Sequence, residues 1–110
     1  MVAIAEVTEQ LYSTLTDVYK NVFPIVATEG ANLPFIVFER SNAFDVGTKD
    51  GNQLELSFNI RVVTATYFDG LKLLDKIRYR LRKSELKPTL TGASEEYTND
   101  GYVQTISISI

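Results

Sequence analysis

The sequence contains no cysteine and no histidine among its 110 residues. Without cysteine, the chain can form neither a disulfide nor a thiolate metal site. Without histidine, it lacks the commonest general base and the commonest side-chain metal ligand, so Ser–His–Asp and Cys–His catalytic arrangements are excluded. Glu95 and Glu96 adjoin, but neighbours on a strand face opposite ways and do not form a carboxylate pair. We therefore expect a protein that is not an enzyme and binds no cofactor.

The sequence also lacks a long apolar run and a leader-like beginning. No run approaches the ~18 residues of a membrane span. The first twenty residues carry Glu6, Glu9 and Asp17 instead of a basic region followed by an apolar one. We expect no membrane partner, and a location in a cytoplasm or in a particle assembled there. The length and the 45% share of hydrophobic residues are typical of one globular domain.

Charge is distributed unevenly along the chain. Residues 69–83 hold six basic and two acidic side chains, or +4, whereas the remainder holds five basic and twelve acidic ones, or −7. Such a split suits head-to-tail assembly of copies, although basic residues near a helix C-terminus also complement the helix dipole. Four of them share one helix face and could line a lumen or face a partner: Lys72, Lys76, Arg80 and Lys83. Because the sequence pI is about 4.9 and no nucleic-acid motif is present, we expect DNA contact to be non-specific at most.

Two segments have the spacing of amphipathic helices. Ala3 to Lys20 carries apolar residues three and four apart, and Thr66 with Asp69 predicts the start of a second helix that reaches about Lys83. The predicted buried stripe of the first helix is Ile4, Val7, Leu11, Leu15 and Val18. That of the second is Tyr67, Leu71, Leu74, Ile77 (or the stem of Arg78) and Leu81.

The remaining apolar segments predict strands. Val22-Phe23 fits a short strand, and Leu33 to Ser41 is apolar on both faces, which is typical of a central strand. Gln53 to Val63 alternates, with Leu56, Phe58, Ile60 and Val62 inward. Between them, Asn42 to Asn52 is predicted to be a polar hairpin loop.

Two more strands are predicted near the C-terminus. They cover Lys87 to Thr91, with Glu95 to Thr98 as a candidate continuation, and Tyr102 to Ile110. The resulting order is α-β-β-β-α-β-β. It predicts a single α+β domain, 1–110, with a mainly antiparallel sheet of four to five strands and two helices packed on one face. The other face is left to water or to a partner.

This order resembles the tail-completion, or tail-terminator, proteins of long-tailed bacteriophages and prophages. The resemblance covers nearly the whole chain and is clearest from Val22 to Lys83. Val22-Phe23-Pro24 precedes Leu33-Pro34-Phe35-Ile36-Val37-Phe38, and the hairpin leads to a helix that begins at Thr66-Tyr67. A tyrosine-containing turn and an alternating strand close the chain.

The resemblance implies a structural virion protein that caps the head-proximal end of the tail tube. In that family, six copies form a ring that stops tube growth, mediates head–tail joining and lets DNA pass through its lumen. The implied partners are further copies of the chain, the tail-tube protein and the head–tail connector protein. The implied location is the virion tail, with host cytoplasm during assembly.

Ring contacts are expected on the hairpin loop and on the outward face of the following strand. The candidate interface residues are Phe44, Asp45, Lys49, Asp50, Asn52, Glu55, Asn59 and Arg61. Phe44 is either exposed for a partner or tucked back onto the core. Two other functions stay open: another neck or tail-tube protein of the same particle, and a small ligand-binding module or enzyme. A deep pocket would favour the last, and a long protruding hairpin the structural roles.

Overall fold

The computed structural model describes residues 4–48 and 51–110 of the chain. It contains seven elements in the predicted order α-β-β-β-α-β-β. They are α1 (Ile4–Val18), β1 (Val22–Pro24), β2 (Phe35–Thr48), β3 (Gly51–Thr64), α2 (Tyr67–Lys83), β4 (Thr89–Thr98) and β5 (Gly101–Ser109). The predicted α+β class is confirmed.

The five strands form one sheet in the order β1-β2-β3-β5-β4. Neighbouring strands are antiparallel except β1 and β2, which run parallel with Val22 opposite Ile36. The sheet is therefore mixed, because the connection from Ile25 to Pro34 carries the chain back to the end at which β1 began. Short β1 and long β4 form the two edges.

Both helices pack on one face of the sheet, as predicted. Their buried residues join the inward side chains of β2, β3 and β5 in the main core, which includes Leu11, Ile36, Phe58, Ile77 and Ile106. The predicted start of α2 is also confirmed, because the Thr66 hydroxyl accepts a hydrogen bond from the Asp69 backbone N–H at 3.3 Å.

The predicted buried stripe of α2 is wrong in its first half. The buried positions are Gly70, Leu73, Ile77 and Leu81, whereas Leu71 and Leu74 are only half-buried. The helix approaches the sheet closely at Gly70, where a Cβ atom would lie 2.9 Å from the Thr64 hydroxyl oxygen. A glycine at the contact carries no hydrophobic signal, so the sequence pattern favoured the flanking leucines.

The predicted loop from Asn42 to Asn52 is mostly strand. β2 continues to Thr48 and pairs with β3 from Gly51 onward. The ladder shifts register between Arg40 and Asn42, which places one extra residue, Ser41, in β2. Such a bulge interrupts the two-residue alternation by which a strand is recognised.

The predicted pieces of the fourth strand form one continuous strand, β4, whose residues are all exposed except half-buried Thr98. A similar register shift lies between Leu90 and Gly92. Because neither face of this edge strand is buried, its sequence shows no apolar alternation.

The sheet face away from the helices is not left entirely to water or a partner. Phe35, Val37, Val63 and Val103 form a second, smaller core there. Phe23, Ala27 and Ala31 pack against it, so the connection between β1 and β2 covers one end of this face. Along β3 and β5, the neighbouring positions of this face carry polar side chains, such as Asn59, Thr105 and Ser107.

Candidate protein interface

The hairpin formed by β2 and β3 projects beyond the rest of the sheet. β5 accompanies β3 only as far as Ser57, opposite Ser109, and a last pair of backbone hydrogen bonds joins Leu56 to Ile110. Beyond this point β2 and β3 pair only with each other, and we call residues 42–48 and 51–55 the ribbon. Seven residues of β2 reach about 23 Å at roughly 3.3 Å each. The molecule measures 49 × 24 × 23 Å, and a projection of this length accounts for the excess of its long axis over the other two.

The ribbon presents an aromatic ring and two carboxylates to solvent. Phe44 remains 44% exposed, so of its two predicted placements the structure has the exposed one. It lies opposite Glu55 on the face away from the helices, while Asp45 lies opposite Leu54 on the other face. A two-stranded hairpin by itself is marginally stable in water. The ribbon is therefore a candidate contact surface, because it projects from the sheet and exposes an aromatic ring.

The structure brings only part of the predicted interface together. Phe44, Asp45 and Glu55 share the ribbon; Lys49 and Asp50 lie outside the described residues, and only the backbone of Asn52 is described, opposite Gly47. Asn59 and Arg61 lie along β3 on the same face as Glu55, over the body of the sheet. Both already have partners within the chain. Arg61 forms an ion pair with Glu39 at 3.5 Å, and Asn59 Oδ1 accepts a hydrogen bond from the Ser107 hydroxyl at 2.7 Å.

The predicted basic face of α2 is less uniform than its spacing indicates. Lys72, Lys76 and Lys83 are exposed, and the Lys83 ammonium lies 5.6 Å from the centre of the Tyr79 ring. Arg80 is half-buried and forms an ion pair with Asp17 of α1 at 2.8 Å. Its charge therefore links the two helices and is already compensated within the chain.

A basic groove lies between α2 and β4, and the sequence did not reveal it. Arg78, Arg82 and Lys87 surround a cavity of about 290 Å³. Its remaining lining residues are apolar: Leu81, Pro88, Leu90, Ile106 and Ile108. The i, i+4 spacing of the two arginines indicates one helix face, but Lys87 and Leu90 join them only through the tertiary fold.

Aromatic residues cluster at the far end of β4. Tyr67 contacts Phe68 and Tyr102, with ring centres 5.4 and 5.9 Å apart, and Tyr97 lies 4.8 Å from Tyr102. The Tyr67 hydroxyl donates a hydrogen bond to Glu95 at 3.2 Å. This bond to a carboxylate, with some desolvation and the nearby negative charge, raises the pKa of Tyr67 above its ordinary value.

The edge at β1 presents a different apolar surface. Ile25 and Val26 follow the strand and are 68% and 72% exposed. Ile25 has a backbone φ of 67°, which is rare for a β-branched residue. The turn is held because the Ile25 N–H donates to the Phe38 carbonyl at 2.8 Å and the Val26 N–H to the Pro24 carbonyl at 2.7 Å. The two edges of the sheet thus differ in length, shape and chemistry.

Comparison with protein-family models gives no match to this chain. A search of curated proteins gives no significantly similar sequence. Within the part of the chain that the structure describes, neither helix is long and apolar enough to cross a membrane. The site and the fold therefore define the class of protein only as a small α+β domain with a projecting ribbon.

Proposed function

We propose that this protein caps the head-proximal end of a phage tail tube as a ring, ends tube growth and mediates head–tail joining. The observation that carries the proposal is the ribbon, which extends the molecule to 49 Å along one axis and exposes Phe44 beyond the two cores. The order of the elements agrees with the resemblance to tail-completion proteins. In this function the chain acts through contacts between copies and with the tube, and it catalyses no reaction.

The two open edges support assembly in one direction. A head-to-tail ring needs two different surfaces on each copy, because each copy uses one for the neighbour before it and the other for the neighbour after it. β1 and β4 lie at opposite ends of the sheet order, and they present the Ile25–Val26 pair and a long strand edge respectively. A symmetric pair, in contrast, would require one self-complementary surface.

The grooves of the molecule favour a structural role over a ligand-binding module. The basic groove and the groove beneath the β1–β2 connection, which is lined by Val37 and Val103, are both open to solvent. A drug-sized ligand normally buries most of its surface in an enclosed pocket. Surfaces of this open kind are better suited to another protein chain.

The test uses the purified protein and the tail-tube protein from the same phage or prophage. Sedimentation velocity over a wide concentration range, with negative-stain images of the heaviest species, is expected to give a closed ring with a central hole. Added to polymerising tail-tube protein, the chain is expected to shorten the tubes and to appear at one end only. A matched sample with serum albumin controls for dilution and crowding.

Other outcomes of the same experiment would overturn the proposal. Incorporation along the whole tube would indicate a tail-tube subunit. No effect on the tube, together with binding to the connector protein in a parallel pull-down, would indicate another neck protein. A chain that neither forms rings nor affects the tubes would refute a structural role in the tail.

A further inference from the structure

We infer that the basic groove of one copy receives the ribbon of a second copy, an inference that rests on the proposed function because it names a contact between neighbouring copies of the ring in addition to their two strand edges. The groove is defined by Arg78, Arg82 and Lys87 around the apolar side chains of Pro88 and Leu90. The partner is thus a second copy of this chain, which inserts an acidic and aromatic segment.

The groove concentrates positive charge that the chain itself does not compensate. Arg78 and Arg82 lie one turn apart on α2, and Lys87 comes from the connection to β4. Among residues 4–48 and 51–110, no acidic oxygen lies within 4.0 Å of these three cations, whereas Arg61 and Arg80 both have acidic partners. Like charges around a small cavity repel one another, so the groove favours a ligand that brings carboxylates.

The ribbon has the complementary chemistry. The ribbon holds two acidic side chains and no basic one, or −2. Asp45 and Glu55 are exposed on opposite faces of the ribbon, and Phe44 supplies an exposed ring for an apolar floor. Leu90 is itself 43% exposed on that floor. A carboxylate-bearing aromatic segment matches both the charged rim and the apolar floor, whereas a nucleic-acid phosphate matches the rim only.

The topology makes this a contact between copies. The groove lies over Ile106 and Ile108 of β5, which pair with Ile60 and Phe58 in the body of the sheet. The ribbon begins beyond Ser57 and leaves the sheet at this end, and none of the ribbon side chains that the structure describes lines the groove of the same copy. The ribbon continues β2 and β3, whereas the groove lies at β5 and β4, so they are two different surfaces. Repeating their contact gives a ring if the rotation closes.

The first test reverses the charges of each surface separately. One variant carries Arg78→Glu with Arg82→Glu, and the other carries Asp45→Arg with Glu55→Arg. Each is expected to weaken self-association at least about tenfold in sedimentation velocity, because like charges then face each other. Mixing the two variants, or combining all four changes in one chain, is expected to restore association, since opposite charges meet again.

A matched control separates this contact from net charge. Lys72→Glu with Lys76→Glu makes the same charge change on the same helix, at the same i, i+4 spacing, and outside the groove. This variant is expected to self-associate within about twofold of the wild type. Equal weakening by the control and the groove variant, or no restoration in the mixture, would overturn the inference. Circular dichroism and thermal unfolding verify that each variant is folded.

Disulfide capture tests the contact even where association is weak. The chain has no cysteine, so a Phe44→Cys chain and a Leu90→Cys chain can form only engineered disulfides. Mixed and mildly oxidised, they are expected to join at least about tenfold faster than Phe44→Cys joins Tyr97→Cys. Tyr97 is the matched control, because it is exposed on the same strand but does not line the groove. Equal rates of disulfide formation with Leu90→Cys and with Tyr97→Cys would refute the contact, whether the protein self-associates or is monomeric.

The outcomes also distinguish this inference from the proposed function. A ring that caps tubes but withstands the charge reversals would leave the proposed function standing and refute the ribbon–groove contact. Selective capture of Phe44→Cys by Leu90→Cys, in a protein that never affects tube growth, would support the ribbon–groove contact and refute the proposed function. Duplex DNA that binds wild type but not the groove variant, without self-association at any concentration, would show that the groove takes phosphates and would overturn the inference.

Discussion

Gly70→Ala tests a close contact between α2 and the sheet. Alanine is the better helix former and by itself would add about 1 kcal/mol to the free energy of unfolding. However, the new Cβ would lie 2.9 Å from the Thr64 hydroxyl oxygen and 3.2 Å from Gln104 Cγ. Neither neighbour moves freely, since Thr64 and Gln104 are both buried and hydrogen-bonded, to the Thr66 carbonyl and the Glu95 carboxylate respectively.

The clash is expected to exceed the helix-propensity gain. Overpacking a tight site costs about 1–3 kcal/mol, and two simultaneous contacts place this site in the upper part of that range. The net expectation is a loss of about 1–2 kcal/mol in the free energy of unfolding, measured by urea denaturation. Gly92→Ala is the control, because a Cβ there meets nothing within 4 Å. It should be neutral or slightly stabilising.

A double-mutant cycle identifies the cause of that loss. Thr64→Ala removes the clashing hydroxyl, so Gly70→Ala is expected to cost at least about 1 kcal/mol less in the Thr64→Ala background than alone. Additive effects of the two substitutions would contradict the clash. A Gly70→Ala protein more stable than the wild type would refute the whole argument, since helix propensity would then outweigh packing.

Three further predictions concern the ribbon, one ionisation and one strained residue. Deleting Val46 to Gly51 is expected to leave the circular dichroism spectrum and the thermal midpoint nearly unchanged but to weaken self-association; unchanged sedimentation would show that the ribbon is not the contact. The pKa of Tyr67 is raised in the folded state. The stability that the Tyr67–Glu95 hydrogen bond contributes is therefore fully present at a pH below the unfolded-state pKa, and it is lost as the pH rises through the folded-state pKa. Ultraviolet titration of tyrosine ionisation should therefore show a lower pKa for Tyr67 in Glu95→Gln than in the wild type, and an identical titration would refute this cause. The Ile25→Gly variant is expected to have a free energy of unfolding about 1 kcal/mol higher than the Val26→Gly variant, since the left-handed backbone at Ile25 is strained for a β-branched residue. Equal thermal midpoints of the two variants would show that no strain is released.

The order and face of most elements were predictable because each has a strong local signal. Alternation in β3 and the apolar C-terminal residues of β5 reveal two-residue periods, and Thr66 marks the start of α2 by a cap that depends on neighbouring residues alone. The core residues Phe58 and Ile106 follow directly from these periods. The charge difference between the basic stretch 69–83 and the rest of the chain was visible in the sequence as well.

The remaining features depend on contacts between distant residues. The extra residue at Ser41 breaks the alternation of β2, so the ribbon looked like a loop. β4 is exposed on both faces and has no period to detect. The basic groove unites Arg82 of a helix with Leu90 of a strand, and only the sheet order brings the two together. The sequence left two placements open for Phe44, exposed or tucked back onto the core, and did not predict its position on a strand.

The charged residues of the proposed contact surfaces lie outside the two cores, although the groove floor includes the core residues Ile106 and Ile108. The main core holds α1 and α2 against the central strands through residues such as Leu15 and Ile60, all of them nearly inaccessible to solvent. The ribbon and the rim of the groove contribute charges on the surface, where a substitution usually changes stability by no more than about 0.5 kcal/mol. Charge reversal at Asp45 or Arg82 should therefore alter association without unfolding the chain. A fall in the thermal midpoint that parallels the loss of association would contradict this separation.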